Sequence, residues 1–197
     1  MVDLLTTLGR TMGFSFAAGI NLYATVAILG LAQRLGWVAL PDQFKVFDNN
    51  IVIGAAIVMY VIEFFADKIP WVDSAWDAVH TVIRPVGGAL IAVAALGQAS
   101  PTVEGLVALL GGTIAAGTHL TKAGTRAVAN TSPEPFSNWL LSFGEDFAVA
   151  GILWMAARHP LLSLLVAVSV VLAAVLSVQW VLGTLRRLLR PQPVAGT

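Results

Sequence analysis

Residues 63–85, EFFADKIPWVDSAWDAVHTVIRP, follow directly on the apolar run IVIGAAIVMYVI at residues 51–62. The stretch holds four acids, one lysine, one histidine and one arginine beside a segment with the composition of a membrane helix. Glu63 lies so close to the apolar run that leaving its carboxylate unpaired in lipid would cost about 2.5–3.5 kcal/mol. The stretch therefore predicts that these charges meet partners or water next to a membrane span.

The composition of the chain indicates the solvent in which it folds. Apolar residues make up 57% of the chain and charged residues only 11%, with a mean hydropathy of +0.83, whereas an ordinary soluble domain has about 25% charged residues. This predicts an integral membrane protein whose main partner is the lipid bilayer. The absence of cysteine excludes disulfides, thiolate metal sites and a cysteine nucleophile. A formal net charge of zero gives no indication of a nucleic-acid partner.

Six runs in the chain come near the length of about 20 mainly apolar residues that a membrane helix needs. We predict an all-α membrane protein with six transmembrane helices in one polytopic domain, residues 1–190, and a disordered tail, residues 191–197. The third and fourth runs are short and rich in glycine, so four spans plus a re-entrant pair remain an alternative. The runs are residues 11–32, 51–66, 85–99, 103–120, 137–157 and 160–184.

The basic residues predict the orientation of these spans. With six spans and the C-terminus in the cytoplasm, eight of the 11 basic residues lie on the inner side, which agrees with the positive-inside rule for short loops. We expect a multi-pass protein of the cytoplasmic (inner) membrane with both termini in the cytoplasm. The first run, which contains the polar Asn21, is predicted to be a retained span rather than a signal peptide. The inner residues are Arg10, Lys68, Arg84, Lys122, Arg126, Arg186, Arg187 and Arg190, and the outer ones Arg34, Lys45 and Arg158.

A short internal similarity links the two halves of the chain. Residues 17–22 read AAGINL and residues 115–120 read AAGTHL. Three predicted spans separate the copies, so they would run in opposite directions, as in the inverted repeats of many transporters, with halves at 11–99 and 103–184. The alternative is helix packing through small residues, which also provides faces for a homo-oligomer. The small residues concerned are Gly13, Ala17, Gly112 and Ala116.

The opening stretch also predicts a short amphipathic helix at about residues 72–84. Pro70 ends the preceding span, Asp73 or Ser74 can cap a new helix, and Pro85 disfavours helical geometry at Arg84. Such a helix is too short to cross the membrane, so it either lies at the interface or turns its polar stripe towards a cavity in the bundle. The stripe consists of Asp73, Ser74, Asp77, His80, Thr81 and Arg84, within about 120° of the helix circumference.

A second polar cluster follows the fourth run. His119, Lys122 and Arg126 are spaced by three and four residues, as on one face of a helix. After the SPEP break at residues 132–135, Glu145 and Asp146 lie inside an otherwise apolar span. Two adjacent acids cannot face the same direction on a helix, and acids inside a membrane are candidates for a functional site or for structural ion pairs.

The segments GINLYATVAILGLAQR (residues 19–34) and EFFADKIPWVDSAWDAVHTVIRP resemble a family of small bacterial membrane proteins known as domain of unknown function 4126. The resemblance covers approximately residues 10–185. It implies a multi-span membrane protein, and it implies no activity, cofactor or site residue.

These patterns favour a transporter- or channel-like protein for a small solute or a lipid-linked molecule, with a polar cavity inside the membrane. One alternative is a non-catalytic scaffold or assembly factor. The other is an enzyme that binds a divalent metal through Glu63, Asp73, Asp77 and His80, which is less favoured because no nucleophile motif or phosphate loop accompanies them. No cofactor and no catalytic residue is predicted. The candidates for the ligand or ion pathway are Asn21, Glu63, Asp67, Asp77, His80, Arg84, His119, Lys122, Arg126, Glu145 and Asp146.

Overall fold

The computed structural model describes residues 2–131 and 136–188, and in these residues it contains helices and their connections but no strand. The prediction of an all-α protein is confirmed. The predicted tail at residues 191–197 and the SPEP break lie outside the described residues. The helices are α1 Val2–Ile20, α2 Leu22–Arg34, a short 3-10 helix Asp42–Val46, α3 Asn50–Ala66, α4 Pro70–Leu96, α5 Pro101–Ala129, α6 Phe136–Arg158 and α7 Pro160–Leu188.

Three of the described helices are long and apolar enough to cross a membrane by length and composition: α4, α5 and α6. Two shorter apolar helices accompany them, α3 and the segment Pro160–Leu172 of α7. These helices support a membrane protein, while the count of six spans stays a prediction. Helices α4 and α5 have 27 and 29 residues, or about 40 Å at 1.5 Å per residue. The third and fourth runs are therefore parts of two long helices rather than a short re-entrant pair.

The prediction that residues 11–32 form one continuous helix is wrong, because the chain breaks at Asn21. This residue has extended backbone angles (φ −148°, ψ 102°) and caps α2, its side chain accepting a hydrogen bond from the Ala24 amide. That bond measures 2.9 Å, and the Thr25 hydroxyl donates to the Asn21 carbonyl at 2.8 Å. An asparagine side chain can thus replace the backbone acceptor that the interrupted helix lacks. Asn21 acts as a helix cap, and its place in a ligand or ion pathway stays a prediction.

The break at Asn21 also affects the similarity between residues 17–22 and 115–120. Residues 17–22 cross the junction between α1 and α2, whereas residues 115–120 lie within the continuous helix α5. The two copies therefore differ in backbone conformation. The two inverted halves stay a prediction.

The prediction of a separate helix at residues 72–84 is also wrong, because α4 continues through Pro85 to Leu96. Proline lacks the N–H of a regular helical hydrogen bond, but membrane helices tolerate this loss where neighbouring helices pack around the segment. Both α1 and α5 pack along α4. The charged part of the predicted stripe faces the interior of the bundle, since Asp73, Asp77 and Arg84 are buried there.

Small residues allow α4 and α5 to pack closely. A Cβ atom added to Gly111 would collide with the Cβ of Ala92 and crowd the Gly88 carbonyl, and one added to Gly88 would collide with Ala115. Helix α1 also contacts α5, with Gly19 against the Ala115 carbonyl. These contacts match the pattern of small residues that brings membrane helices together, and they place α1 and α5 beside each other. Of the small residues named from the sequence, Gly13 meets Ala156 and Ser163, and Gly112 meets Pro85 of α4.

We expect Gly111→Ala to destabilise the protein by about 1–3 kcal/mol, because the new methyl group overpacks the contact with α4. The matched control is Gly105→Ala, the same substitution in α5, where a Cβ meets nothing within 4 Å. Thermal unfolding in detergent would measure both variants. Equal stability of the two would contradict the close packing of α4 and α5.

Candidate functional site

Eight charged side chains from four helices form one ion-pair network in the bundle. The acids lie on α3, at its C-terminal end, on the first half of α4, and on α6, while the bases lie on α4 and α5. Seven of the side chains are at most 7% exposed, and the eighth, Glu145, is 16% exposed. The members of this network are Glu63, Asp67, Asp73, Asp77, Arg84, Lys122, Arg126 and Glu145.

The turn between α3 and α4 brings the acids of the opening stretch together. Helix α3 ends at Ala66 and α4 begins at Pro70, so the end of one helix and the start of the next lie side by side. On α4, spacings of four and seven residues from Asp73 place Asp77 and His80 on the inward face. The C-terminal half of the long helix α5 faces these acids and carries the bases.

Arg84 joins α3, α4 and α5. Its Nη2 donates to Glu63 Oε1 at 2.5 Å, and its Nη1 lies 3.4 Å from Asp77 Oδ1 and 2.7 Å from His119 Nδ1. The guanidinium itself is 0% exposed. A buried arginine of this kind is stable only when its charge is matched by nearby carboxylates.

His119 contacts the network as a neutral side chain. Arginine can only donate hydrogen bonds, so Nδ1 of His119 must accept from Arg84 and the ring proton must lie on Nε2. The second ring nitrogen agrees with this tautomer, since Nε2 lies 3.1 Å from the carbonyl of Asp77, which can only accept. His119 thus fixes the position of Arg84 without adding a charge.

Lys122 contacts three carboxylates: one on α3, one directly after the end of α3, and one on α6. Its Nζ lies 3.3 Å from Glu63 Oε1, 3.1 Å from Asp67 Oδ2 and 3.3 Å from Glu145 Oε2. An ammonium group has three N–H donors, which is the number of acids around it.

Arg126 has an acceptor for each of its five N–H donors. It holds Glu145 in a bidentate pair, with Nε to Oε1 at 2.9 Å and Nη2 to Oε2 at 2.6 Å. Nη2 also donates to Asp67 Oδ2 at 3.1 Å, and Nη1 donates to the carbonyls of Asp67 and Asn138 at 2.8 and 3.3 Å. Bidentate pairs between arginine and a carboxylate are among the strongest hydrogen-bonded contacts in proteins.

Two asparagines that sequence reasoning missed complete the site near Asp73. Asn130 Nδ2 donates to Asp73 Oδ2 at 2.7 Å, and Asn138 Nδ2 donates to Asn130 Oδ1 at 2.8 Å. Asn130 caps the end of α5 and Asn138 lies in the first turns of α6, on either side of the SPEP break. The sequence contained a signal for this site: two asparagines, one on each side of the break between two helices, in an otherwise apolar chain.

Besides Asn21, two predicted site residues lie outside the network. His80 accepts from the Tyr23 hydroxyl at 3.0 Å through Nε2, while its Nδ1 donates to the Trp76 carbonyl at 2.7 Å. Asp146 accepts a hydrogen bond from Tyr60. Since Glu145 faces Arg126, the two adjacent acids of α6 face different sides, as predicted.

The structure does not form a metal site from the four residues that were predicted to bind a divalent metal. Each of its four residues has another contact: Glu63 with Arg84 and Lys122, Asp73 with Asn130, Asp77 with Arg84, and His80 with Tyr23. Within residues 2–131 and 136–188, no three His, Asp or Glu side chains come together in a way that could hold a metal ion. The metal-enzyme hypothesis therefore gains no support.

Two cavities reach the network from different faces of α5, and a third contains Asp146. Cavity 1, of about 590 Å³, lies between α1, α5, α6 and α7 and includes Lys122 and Glu145. Cavity 2, of about 190 Å³, lies between α4 and α5 and includes Asp73, Asp77 and Arg126. Cavity 3, of about 460 Å³, is lined by α2, α3 and α6.

A bundle of apolar helices around buried, mutually paired charges is a membrane protein with a polar site in its interior. The chain belongs to the family described as Domain of unknown function (DUF4126), whose model matches residues 8–180. All eight members of the network lie within the matched residues. No curated protein and no solved structure matches the chain.

We expect Arg126→Met to destabilise the protein by about 3–5 kcal/mol, because it leaves Glu145 and Asp67 buried with fewer donors. The matched control is Arg34→Met, which removes a pair with Asp48 whose side chains are 36% and 33% exposed, so a loss of about 0–1 kcal/mol is expected there. Unfolding in mixed micelles with increasing SDS would measure both. Small and equal losses would mean that the network is not buried from water.

Proposed function

We propose that the protein moves a small solute or a lipid-linked molecule across the cytoplasmic membrane, along a pathway that passes through the ion-pair network. One observation carries this proposal: the two partners of the Arg126–Glu145 pair line different cavities. Glu145 lines cavity 1 and Arg126 lines cavity 2. We infer that opening this pair is the step that connects the two spaces beside α5.

The shape and lining of cavity 1 suit an amphiphilic or partly apolar substrate. Its lining on α5 extends from Thr113 to Thr125, a distance of about 18 Å at 1.5 Å per residue. This is more than half of the hydrocarbon thickness of about 30 Å. The walls are mainly apolar, with threonine hydroxyls along α5 and two charged groups, Lys122 and Glu145. Its volume falls in the range of about 300–1,000 Å³ that small-molecule sites have.

The network allows the Arg126–Glu145 pair to open without leaving either charge alone. Arg126 also contacts Asp67, and Glu145 also contacts Lys122 at 3.3 Å. Breaking a buried pair is costly mainly when one charge is left unpaired. Because each member has a second partner of opposite charge, exchange of partners costs less than complete separation.

The membrane and the orientation are part of the same proposal. We place the protein in the cytoplasmic membrane with both termini inside, on the basis of the sequence prediction of eight basic residues on the inner side against three on the outer side. Three of the eight, Arg84, Lys122 and Arg126, are buried in the network. With this orientation, Lys122 and Arg126 lie towards the cytoplasmic end of α5, and cavity 2 lies near that end too.

A scaffold role is the second candidate, and it has an observation of its own. The five N–H donors of Arg126 all have acceptors, as expected for ion pairs that only hold helices together. In that case the function would depend on the stability of the network rather than on its opening.

Accessibility of cavity 1 distinguishes the two roles. Since the chain has no cysteine, Thr81→Cys can report on cavity 2 and Thr121→Cys on cavity 1, labelled by a membrane-impermeant maleimide in sealed vesicles. The reagent is added on the side from which Thr81→Cys reacts.

We expect Glu145→Gln to speed the labelling of Thr121→Cys from that side, because a neutral amide weakens the pair between Arg126 and residue 145. A loss of about 1.5–3 kcal/mol for a charged hydrogen bond corresponds to an open population about tenfold larger or more.

The control for this experiment is Glu104→Gln, the same substitution in the first turn of the same helix as Thr121, outside the network. It should leave the labelling rate unchanged. Unchanged labelling in Glu145→Gln would reject the transport pathway. A smaller amount of folded protein than in Glu104→Gln, with an unchanged labelling rate for the protein that remains, would favour the scaffold role.

A further inference from the structure

The ion-pair network contains more negative than positive groups. Five carboxylates face three cationic side chains, and His119 is neutral in the tautomer that its contacts require. The network therefore carries two surplus negative charges when all its acids are ionised. Uncompensated charges are costly to bury in a protein interior, so the surplus needs a further positive partner.

The oxygens without a donor show where the surplus lies. Among the described residues, Glu63 Oε2, Asp67 Oδ1 and Asp73 Oδ1 are buried and have no hydrogen-bond partner. Asp73 is the one of these three that also lines a cavity, and its side chain is 0% exposed. Its other oxygen, Oδ2, accepts from Asn130 at 2.7 Å. Asp73 Oδ1 therefore has no hydrogen-bond donor, and the nearest cation of the network, Arg126 Nη1, lies 4.0 Å from it, so the charge of this buried carboxylate in the wall of cavity 2 is only partly compensated.

The remaining wall of cavity 2 also suits a positive rather than a negative ligand. Asp77 provides a second carboxylate, and Ser74 and Thr81 provide hydroxyl oxygens. The hydrogens of these hydroxyls are directed to the carbonyls of Pro70 and Asp77. Ser74 Oγ also accepts from Asn130 Nδ2 at 3.2 Å, and Thr81 Oγ1 lies 3.2 Å from His119 Nε2, so one lone pair on each hydroxyl oxygen stays available. Arg126 lines the same cavity, but its donors are all used by acceptors in the network. An anion would find no free N–H there.

We propose that cavity 2 binds a monovalent cation, held by Asp73 and Asp77 and by neighbouring neutral oxygens. A divalent ion such as Ca²⁺ takes six to eight oxygen ligands, usually from several carboxylates, and Arg126 would repel a second positive charge. With about 190 Å³, against about 30 Å³ for a water molecule, the cavity has room for an alkali cation with part of its hydration shell. It also has room for a small primary ammonium ion, which presents the same charge.

Titration of the purified full-length protein in detergent tests this site. The probes are sodium, potassium and methylammonium chloride, with ionic strength held constant by the bulky cation N-methyl-D-glucamine. A bound cation should raise the midpoint of thermal unfolding in a saturable way, by about 5–10 °C at 100 times its dissociation constant. Response to an alkali cation alone would identify an inorganic ion, and response to methylammonium alone would identify an organic amine.

Two variants place the effect at cavity 2. Asp73→Asn and Asp77→Asn should each lose most of the cation-dependent shift, while Asp42→Asn should keep it. Asp42 is an exposed acid paired with Lys45, and the hydrogen bond from that lysine lowers the pKa of Asp42 from its ordinary value, so it is ionised under the assay conditions. If Asp73→Asn does not fold, Asp77→Asn and the titration of the parent protein still give the answer.

The proposal is overturned if the midpoint is the same in all four salts, or if Asp77→Asn responds as strongly as the parent protein. A midpoint that changes with pH alone would assign the surplus charges to bound protons and would also overturn it. The cation site goes beyond the proposed transport function and does not require it. Cation binding, with labelling of cavity 1 unchanged in Glu145→Gln, would reject the pathway alone. Faster labelling of cavity 1 in Glu145→Gln, without any cation-dependent rise of the unfolding midpoint, would reject the cation site alone.

Discussion

Lys122 and Arg126 of α5 can be buried only because acids from three other helices surround them. This requirement explains much of the arrangement of the bundle. The end of α3 and the start of α4 must lie together to supply Glu63, Asp67 and Asp73, and α6 must turn Glu145 towards α5. Ion pairs in a bundle interior are expensive when incomplete, so the helices that carry these charges are fixed relative to one another by charge matching as well as by shape.

Close packing and charge pairing act on different parts of α4 and α5. The C-terminal half of α4 meets α5 through Gly88, Ala92, Gly111 and Ala115, where no larger side chain fits. The N-terminal half of α4 meets the other half of α5 through the network and the smaller cavity. The first contact depends on van der Waals packing in an apolar environment, and the second depends on electrostatics. One helix pair thus combines a tight apolar contact with a polar space that can hold a ligand.

The sequence predicted which charges would meet, because an ionisable group in an apolar chain needs a partner. Seven of the eleven pathway candidates are members of the network, and an eighth, His119, contacts it. The sequence did not predict the break at Asn21 or the continuity through Pro85, since each depends on energies of one to a few kcal/mol that packing can outweigh. It also missed Asn130 and Asn138, because their contacts depend on how α5 and α6 approach across the residues between them.

The network also indicates where two helices are joined mainly by charges. Helix α5 is packed against α4 by small residues, whereas cavity 1 lies between α5 and α6 and is lined by both. Glu145 on α6 is the most exposed acid of the network, and its pair with Arg126 is the main polar link between these two helices. A local separation of α6 from α5 would therefore act mainly on this pair, while the second half of α6 stays packed in the apolar core through Val149 and Leu153. Because Asp67 and Lys122 remain as alternative partners, such a motion changes the pairing within the network while the pair of α4 and α5 stays in place.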